Sequence, residues 1–466
     1  MIASFVMSEL RIDNPYTGED TVVAATSGHE IEAMLTGANA TEKRWRTTTL
    51  ADRITLCEAA LGAMVGEADG IAADISKMMG KPLTQARGEV NGMADRARTM
   101  MRLAPEALAD VPLPPKEKFE RRVVKEPLGV VLDMPAWNYP LLTAVNAVFP
   151  AVLAGNSVII RHSPRSLLCG EHFARAFRTA GAPEHLVQAV MCDHEAAERL
   201  VGDPRVDHVV FTGSTFGGHR IQLAAKDRFM HPALELGGND PAYVAADADL
   251  DKAVDNLVDG ACYNAGQSCC AVERIYVHAS LYEAFLEKAK GLVDAYVMGD
   301  PFDAKTSLGP IAQPHHVGEL EALVADATGK GARLITGGKR VSLNHKGRFF
   351  EATLLGNCNH EMNIFRGESF GPIVAVMKVD SDGVALEKMN DSSLGLTASV
   401  WTADRDRAAR FATALECGTV YMNRCDSLDP ELPWGGVKNS GRGVSLSVLG
   451  FDALTRPKSI HFRLAF

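Results

Sequence analysis

Apolar positions along this chain follow two different periods. Between residues 30 and 110 they recur at helical spacing: Leu50, Ile54, Cys57, Leu61 and Met64 step by 4, 3, 4 and 3, one face of a 3.6-residue helix. The proline-rich run Val111-Pro-Leu-Pro-Pro115 then predicts a stiff connector. Beyond it, short β-branched runs at 130–132, 158–160, 187–191 and 209–211 alternate with helical segments near 141–153, 167–180 and 194–202. Strand, helix, strand at intervals of a few tens of residues predicts a parallel sheet with crossover helices. A second series begins after Gly238. It has a helix near 250–264, a strand at 274–278, a helix at 280–296, strands at 373–379 and 398–402, a helix at 404–416 and a strand at 419–422. The expected fold class is α/β, with two α/β lobes and the first helical block packed on the first of them.

Composition narrows the class of protein. At 466 residues, with 46% hydrophobic and 23% charged, the chain has ample core, which excludes disorder, collagen and a small disulfide scaffold. Its 48 basic residues against 58 acidic ones give a net charge of −10, so a nucleic-acid or polybasic membrane partner is not expected. Residues 1–14 carry neither a basic n-region nor a small-residue cleavage site, so no secretory signal is expected there. The apolar stretch 141–160 is nearly long enough to span a bilayer. Asn146, Pro150, Gly155, Asn156 and Ser157 interrupt it, and a helix, a turn and a buried strand account for it better. Nine cysteines without a C-x-x-C pair argue against a disulfide framework or zinc ribbon, and no H-E-x-x-H is present. The expectation is a cytoplasmic protein with no metal.

Four segments carry candidate chemistry. In 209–218 a buried strand enters a glycine- and hydroxyl-rich turn (Phe-Thr-Gly213-Ser214-Thr) and then a helix, where free N–H groups suit a phosphate. It is neither G-x-G-x-x-G nor Walker A, and taken alone it reads as a plain strand–helix turn rather than a phosphate site. The loop Asn264-Ala-Gly-Gln-Ser-Cys269-Cys270 places two cysteines after a predicted helix, on the kind of loop where reactive residues sit. Cys57, Cys169, Cys192, Cys262 and Cys270 read as core cysteines. Leu234-Glu235-Leu-Gly-Gly238 sets a carboxylate among leucines, a setting that raises its pKa and suits a general base. Pro135-Ala-Trp137-Asn138-Tyr-Pro140 holds an amide in a stiff loop where it can donate to an oxyanion. Singly, each reads first as a structural feature: a strand-end glutamate, an Asx turn.

Taken in order, with Glu368-Ser-Phe370-Gly-Pro372 and Pro433-Trp-Gly-Gly-x-Lys438-x-Ser-Gly441, these segments resemble the NAD(P)-dependent aldehyde dehydrogenase superfamily over essentially the whole chain, starting at Asn14-Pro-Tyr-Thr-Gly18. Arg161-His-Ser-Pro164 and Gly237 to Pro241 resemble its bacterial short-chain and succinate-semialdehyde branch. The resemblance implies Cys269 as nucleophile, Glu235 as the base that activates water, and Asn138 with the Cys269 N–H as oxyanion donors. It implies Glu368, Phe370, Trp137, Gly213, Ser214 and Arg161 around the cofactor, NAD or NADP with NAD favoured. It also implies two Rossmann-like lobes and a β arm that completes a neighbour's sheet in a homodimer or homotetramer. The expected division is 1–117 and 134–236 for the cofactor lobe, 237–430 for the catalytic lobe, 118–133 and 452–466 for the arm, and 431–451 returning to the cofactor lobe. CoA-acylating or phosphorylating chemistry is the alternative within the fold, and a non-catalytic binding protein the alternative outside it. The presence of Glu235 argues against the first, and the intact set of Cys269, Glu235 and Asn138 against the second.

Three departures bear on specificity. Arg161-His-Ser-Pro164 replaces Lys-Pro-Ser-Glu, removing the carboxylate that meets the adenosine ribose. Asn239 replaces a lysine, and Ser440-Gly-Arg-Gly-Val-Ser445 ends without the family's glutamate. In this family the loop from Arg424 to Pro433 lines the substrate entrance. With Asp426, Asp429 and Glu431 against the single cation Arg424, it predicts that neutral or amine-bearing aldehydes are preferred over succinic semialdehyde.

Overall fold

Two parallel sheets carry the molecule, and the candidate site lies where the strand ends of one meet the strand ends of the other. The computed structural model describes residues 9–343 and 345–464. Most of the amino-terminal segment read above, and the last two residues of the expected arm, lie outside the described residues.

The first sheet has six strands in the order Gly441–Arg442, Ala233–Glu235, His208–Thr212, Val130–Met134, Ser157–Ile160, Val187–Ala189. The last five run parallel and Gly441–Arg442 joins antiparallel. Every residue of Val130–Met134 and Ser157–Ile160 is buried, as expected for strands covered on both faces. Alternation sorts their side chains. Val131, Val158 and Ile160 pack into the helical block, while Val130, Leu132 and Ile159 pack on the other side. That block comprises helices Gly28–Trp45, Leu50–Gly66, Ala68–Met79 and Leu83–Ala107. Cys57, Leu61 and Met64 face inward at the predicted spacing. Helix Pro140–Ala154 lies between block and sheet. Its N1 proline is already fixed at helical φ, and Gly155 ends it at φ +100° before the strand at Ser157, so the 141–160 run is a helix, a turn and a strand.

The second sheet has seven strands in the order Arg333–Thr336, Thr353–Gly356, Ile373–Val379, Val272–His278, Asp240–Val244, Thr397–Trp401, Thr419–Met422, all parallel but the first. Helices Leu250–Cys262 and Tyr282–Asp294 fall within the stretches predicted for them.

Several features depart from the expectations, among them strands Arg333–Thr336 and Thr353–Gly356 and helix His316–Gly329, which the hydrophobic pattern did not mark. The 187–191 strand ends at Ala189. Strands Glu9–Asp13 and Asp20–Ala24 form a hairpin that the hydrophobic pattern did not mark. The arm is also shorter than 118–133: Phe119–Pro127 pairs antiparallel with Thr455–Arg463 along its whole length, whereas 130–133 belong to the first sheet. Gly129, at φ +136°, separates the two strands. Among the described residues no helix is long and apolar enough to cross a membrane.

Candidate active site

Asn138, Arg161, Gly213 and Glu235 all sit at or just beyond the carboxyl ends of parallel strands of the first sheet. Cys269 and the Glu368–Phe370 turn lie just before the amino ends of Val272–His278 and Ile373–Val379 in the second. Side chains that meet across this seam come from loops whose positions the two sheets set. Open α/β sheets place their ligand crevices at carboxyl strand ends.

The cysteine loop is held by unusual backbone. After helix Leu250–Cys262, Asn264 and Ala265 adopt left-handed conformations (φ +53° and +56°), and Gly266 follows at +69°. A Cβ on Gly266 would lie 2.1 Å from the Gly371 carbonyl, and one on Gly238 would lie 2.3 Å from the Cys269 carbonyl. Glycine is therefore required at both close approaches. Asn138 is tied to the same loop: its Nδ2 donates to the Gln267 carbonyl (3.1 Å), and Asn264 Nδ2 donates to the Asn138 carbonyl (3.2 Å). The amide predicted to face an oxyanion is thus anchored two residues from Cys269.

Cys269 is half-buried, whereas Cys57, Cys169, Cys192, Cys262 and Cys270 are buried. The Cys270 thiol donates to Asp426 Oδ1 (2.9 Å). Glu235, buried at the end of its strand, is pushed above the usual carboxylate range by desolvation. Hydrogen bonds from Ser445 and Trp434 and the charge of Arg96 act against that shift.

All nine residues singled out in the sequence line one cleft of about 810 Å³. Trp137 and Phe370 meet edge to face across it (5.5 Å, 72°). Ser214 caps helix Thr215–Ala224 by accepting from Gly217 N (3.1 Å), and Gly213 N donates to the Glu235 carbonyl (3.0 Å). Gly238 N donates to Glu368 Oε1 (3.3 Å), and burial drives that carboxyl well above its ordinary range. Arg161 is buried. Its Nη2 donates to the Cys192 carbonyl (3.0 Å), while Nε has no partner among the described residues. A capped helix start beside a glycine, a carboxyl at the far end and an unsatisfied guanidinium N–H fit a nicotinamide dinucleotide.

A second cavity of about 330 Å³ opens on the other side of Cys269 and Glu235, which line both. Its walls include Gln85, Glu89 and Arg96 from helix Leu83–Ala107, Tyr139, Leu142, Asn146, Asp259, Tyr263, Asp426 and Trp434. Arg96 Nη1 donates to the Leu142 carbonyl (3.0 Å) and Asn146 Oδ1 (3.1 Å). The sequence reading missed Arg96. Gln85, Glu89 and Arg96 at i, i+4 and i+11 form a polar stripe beside the buried Val90, Met93 and Ala97, and that stripe was the available signal. It also missed Glu273, a buried carboxyl that accepts from Ser369 N and Phe370 N (3.0–3.1 Å) and so holds the Glu368–Phe370 turn. Desolvation raises Glu273 to about 7 despite those donors.

The entrance loop is arranged differently from its sequence reading. Only Asp426, Ser427 and Leu428 of the 424–433 stretch line the second cavity. Glu431 pairs with Arg102 on the surface, Asp429 accepts from Glu431 N (2.9 Å), and Arg424 bonds Ser427. Asp426 faces inward, but burial pushes its carboxyl well above the usual range, which weakens the repulsion expected of it.

The chain matches the model of the aldehyde dehydrogenase family over residues 5–460. It is 34% identical over 438 residues to the succinate semialdehyde dehydrogenase (NAD(P)+) Sad of Escherichia coli, covering 94% of each chain. Its fold superposes on the crystal structure of succinate-semialdehyde dehydrogenase from Burkholderia pseudomallei with a TM-score of 0.94 at 31% identity, covering 98% of this chain and 95% of that one. The Streptococcus pyogenes succinic semialdehyde dehydrogenase in complex with NADP+ gives 0.93 at 29% identity, covering 97% and 100%. With the seam between two parallel sheets and a thiol, a buried carboxyl and an anchored amide converging there, these matches place the protein in the aldehyde dehydrogenase family, as an NAD(P)-dependent oxidoreductase that converts an aldehyde to a carboxylic acid.

Proposed function

We propose that Cys269, Glu235 and Asn138 carry this reaction and that its substrate is a short aldehyde bearing a carboxylate, of the succinic semialdehyde class. The single observation behind the reading is that Cys269 and Glu235 line both cavities, so a thiol and a carboxyl stand between a cofactor cleft and a substrate pocket that contains Arg96. The names of the relatives support the same substrate class.

In this reading the Cys269 thiolate adds to the aldehyde carbon, and Asn138 Nδ2 with the Cys269 N–H holds the oxyanion that forms. The cofactor, when bound, supplies the acceptor for the hydride that leaves that carbon. Gly213 and Ser214 would hold its phosphates, Glu368 its nicotinamide ribose, with Phe370 and Trp137 packing beside it and Arg161 at the adenosine end. Cys269 is left as a thioester. Glu235 then takes a proton from water, the hydroxide adds to the acyl carbon, and Cys269 departs as thiolate, giving the carboxylic acid. Arg96 receives the distal carboxylate of the substrate.

NADP is used alongside NAD, with NAD favoured, because Pro164 leaves no carboxylate to repel a 2′-phosphate. The two-stranded arm, marginal on its own, adds to a neighbour's sheet in a homodimer or homotetramer, and the protein works in the cytoplasm. Cys269→Ala abolishes aldehyde oxidation and ester hydrolysis, while Cys270→Ala keeps most of both. A live Cys269→Ala enzyme would remove Cys269 from its role.

A further inference from the structure

We propose that Ser445 is a positioning residue for Glu235, its hydroxyl aiming the buried carboxylate. The inference rests on the reading of Glu235 as the base of thioester hydrolysis and adds to it the group that aims it.

The geometry comes from the segment that returns to the first sheet. Strand Gly441–Arg442 pairs antiparallel with Ala233–Glu235, placing Gly441 opposite Glu235. Four residues further on, the Ser445 hydroxyl donates to Glu235 Oε1. Ser445 is itself fixed by a two-way backbone bridge to Trp434, with N–H to carbonyl distances of 2.8 Å in both directions. Trp434 is buried and lines the substrate-side cavity together with Glu235. The bridge thus fixes the segment that delivers the Ser445 hydroxyl to the carboxylate. A buried carboxylate with a donor fixed in this way is held in a preferred orientation.

A second carboxylate at this position would repel Glu235, and an alanine would leave Oε1 without its donor. A hydroxyl instead favours the ionised form that must accept a proton from water. Among the described residues, the titratable groups whose charge bears on Glu235 are Arg96 on helix Leu83–Ala107 and Asp133 on strand Val130–Met134, while Cys269, Cys270, Glu89, Tyr139, Asp259, Tyr263 and Asp426 line the same cavity. Arg442, on the paired strand, reaches the Pro232 carbonyl instead (3.4 Å). None of these is altered by a change at Ser445. Because Ser445 touches the base and not the thiol, its removal acts on the hydrolytic half of the cycle and leaves hydride transfer alone.

The test follows the full-length enzyme with succinic semialdehyde by rapid mixing and in the steady state, reading reduced nicotinamide, for Ser445→Ala, Ser445→Thr and Glu235→Gln. Ser445→Ala is expected to keep the amplitude and rate of the first turnover, which counts folded sites, while steady-state turnover falls about tenfold. The acid limb of its pH–rate profile moves up by about one unit, since losing a donor to the carboxylate raises the pH at which the base ionises. Ser445→Thr, which keeps the hydroxyl, returns both values close to wild type. Equal loss in the first turnover and the steady state, an unmoved acid limb, or full turnover in Ser445→Ala would each overturn the proposal. If Glu235→Gln is slow and Ser445→Ala normal, Ser445 alone loses its role. If Glu235→Gln itself turns over fully, the base assignment fails and Ser445 with it.

Discussion

The two cavities that meet at Cys269 are built in opposite ways. The cofactor cleft takes its candidate residues from turns that directly follow or precede strands (Trp137 and Asn138, Arg161, Gly213 and Ser214, Glu368 and Phe370), joined by helix residues such as Ala197 and Ile221. The chemistry of those turns is short-range, and each turn is fixed by its own strand end. The substrate pocket shares Glu235 and Cys269 with the cleft but draws most of its other walls from one face of helix Leu83–Ala107, the side of helix Pro140–Ala154, the end of helix Leu250–Cys262 and a single turn of the 424–433 loop. Helix faces and loop turns can exchange residues without disturbing a sheet. Under the proposed reading, the helix-built pocket is therefore the part in which a substitution can alter the substrate without disturbing a sheet.

That contrast can be broken at its centre first. Glu235→Gln, which alters a residue shared by both cavities, should cut thioester hydrolysis by about 10²–10⁴-fold. Rapid mixing would then show a burst of reduced cofactor followed by a slow steady state. Steady turnover at the wild-type rate would take Glu235 out of the mechanism.

Next comes the pocket alone. Arg96→Met should lower kcat/KM for succinic semialdehyde about 10- to 100-fold relative to butyraldehyde, the worth of a charge-assisted contact. An unchanged ratio, or a wild type that favours 4-aminobutyraldehyde, would mean that Arg96 does not receive the substrate carboxylate.

A smaller effect belongs to the cleft. Arg161→Met should reduce the efficiency of NADP about tenfold more than that of NAD, because under the proposed reading the guanidinium meets a 2′-phosphate that NAD lacks, in addition to the Cys192 carbonyl. Parallel losses with both cofactors would assign Arg161 a purely structural role through the Cys192 carbonyl. A wild-type NAD:NADP ratio above about 10³, roughly 4 kcal/mol, would show that another group excludes the phosphate.

The smallest expected effect sharpens the comparison from outside. Glu431→Arg should leave the preference among these aldehydes within about twofold, as surface substitutions generally do, since Glu431 pairs with Arg102 away from the cavity. A marked gain with succinic semialdehyde would return the whole 424–433 loop to the substrate path.

Much of this protein was legible from local chemistry. The runs at 130–132 and 158–160 are strands because β-branched residues buried on both faces suit a parallel sheet, and the helical block follows its 3.6-residue period. The nine residues that share the cleft are identified through the resemblance carried by their motifs taken in order, since each motif alone reads as an ordinary structural feature; the structure brings them to one cleft. The tertiary structure alone decided the rest. The arm stops at Pro127 because Val130 and its neighbours find partners in the first sheet, a matter of strand pairing that no single segment specifies. Asp426 faces inward while Asp429 and Glu431 face outward, a sorting set by the Cys270 thiol and by Arg102 on a distant helix. Ser445 reaches Glu235 across 210 residues of chain. Period and turn chemistry are properties of neighbouring residues and can be read in order, whereas which side chain completes a buried carboxylate's hydrogen bonds depends on contacts that exist only after the two sheets and the returning segment have packed.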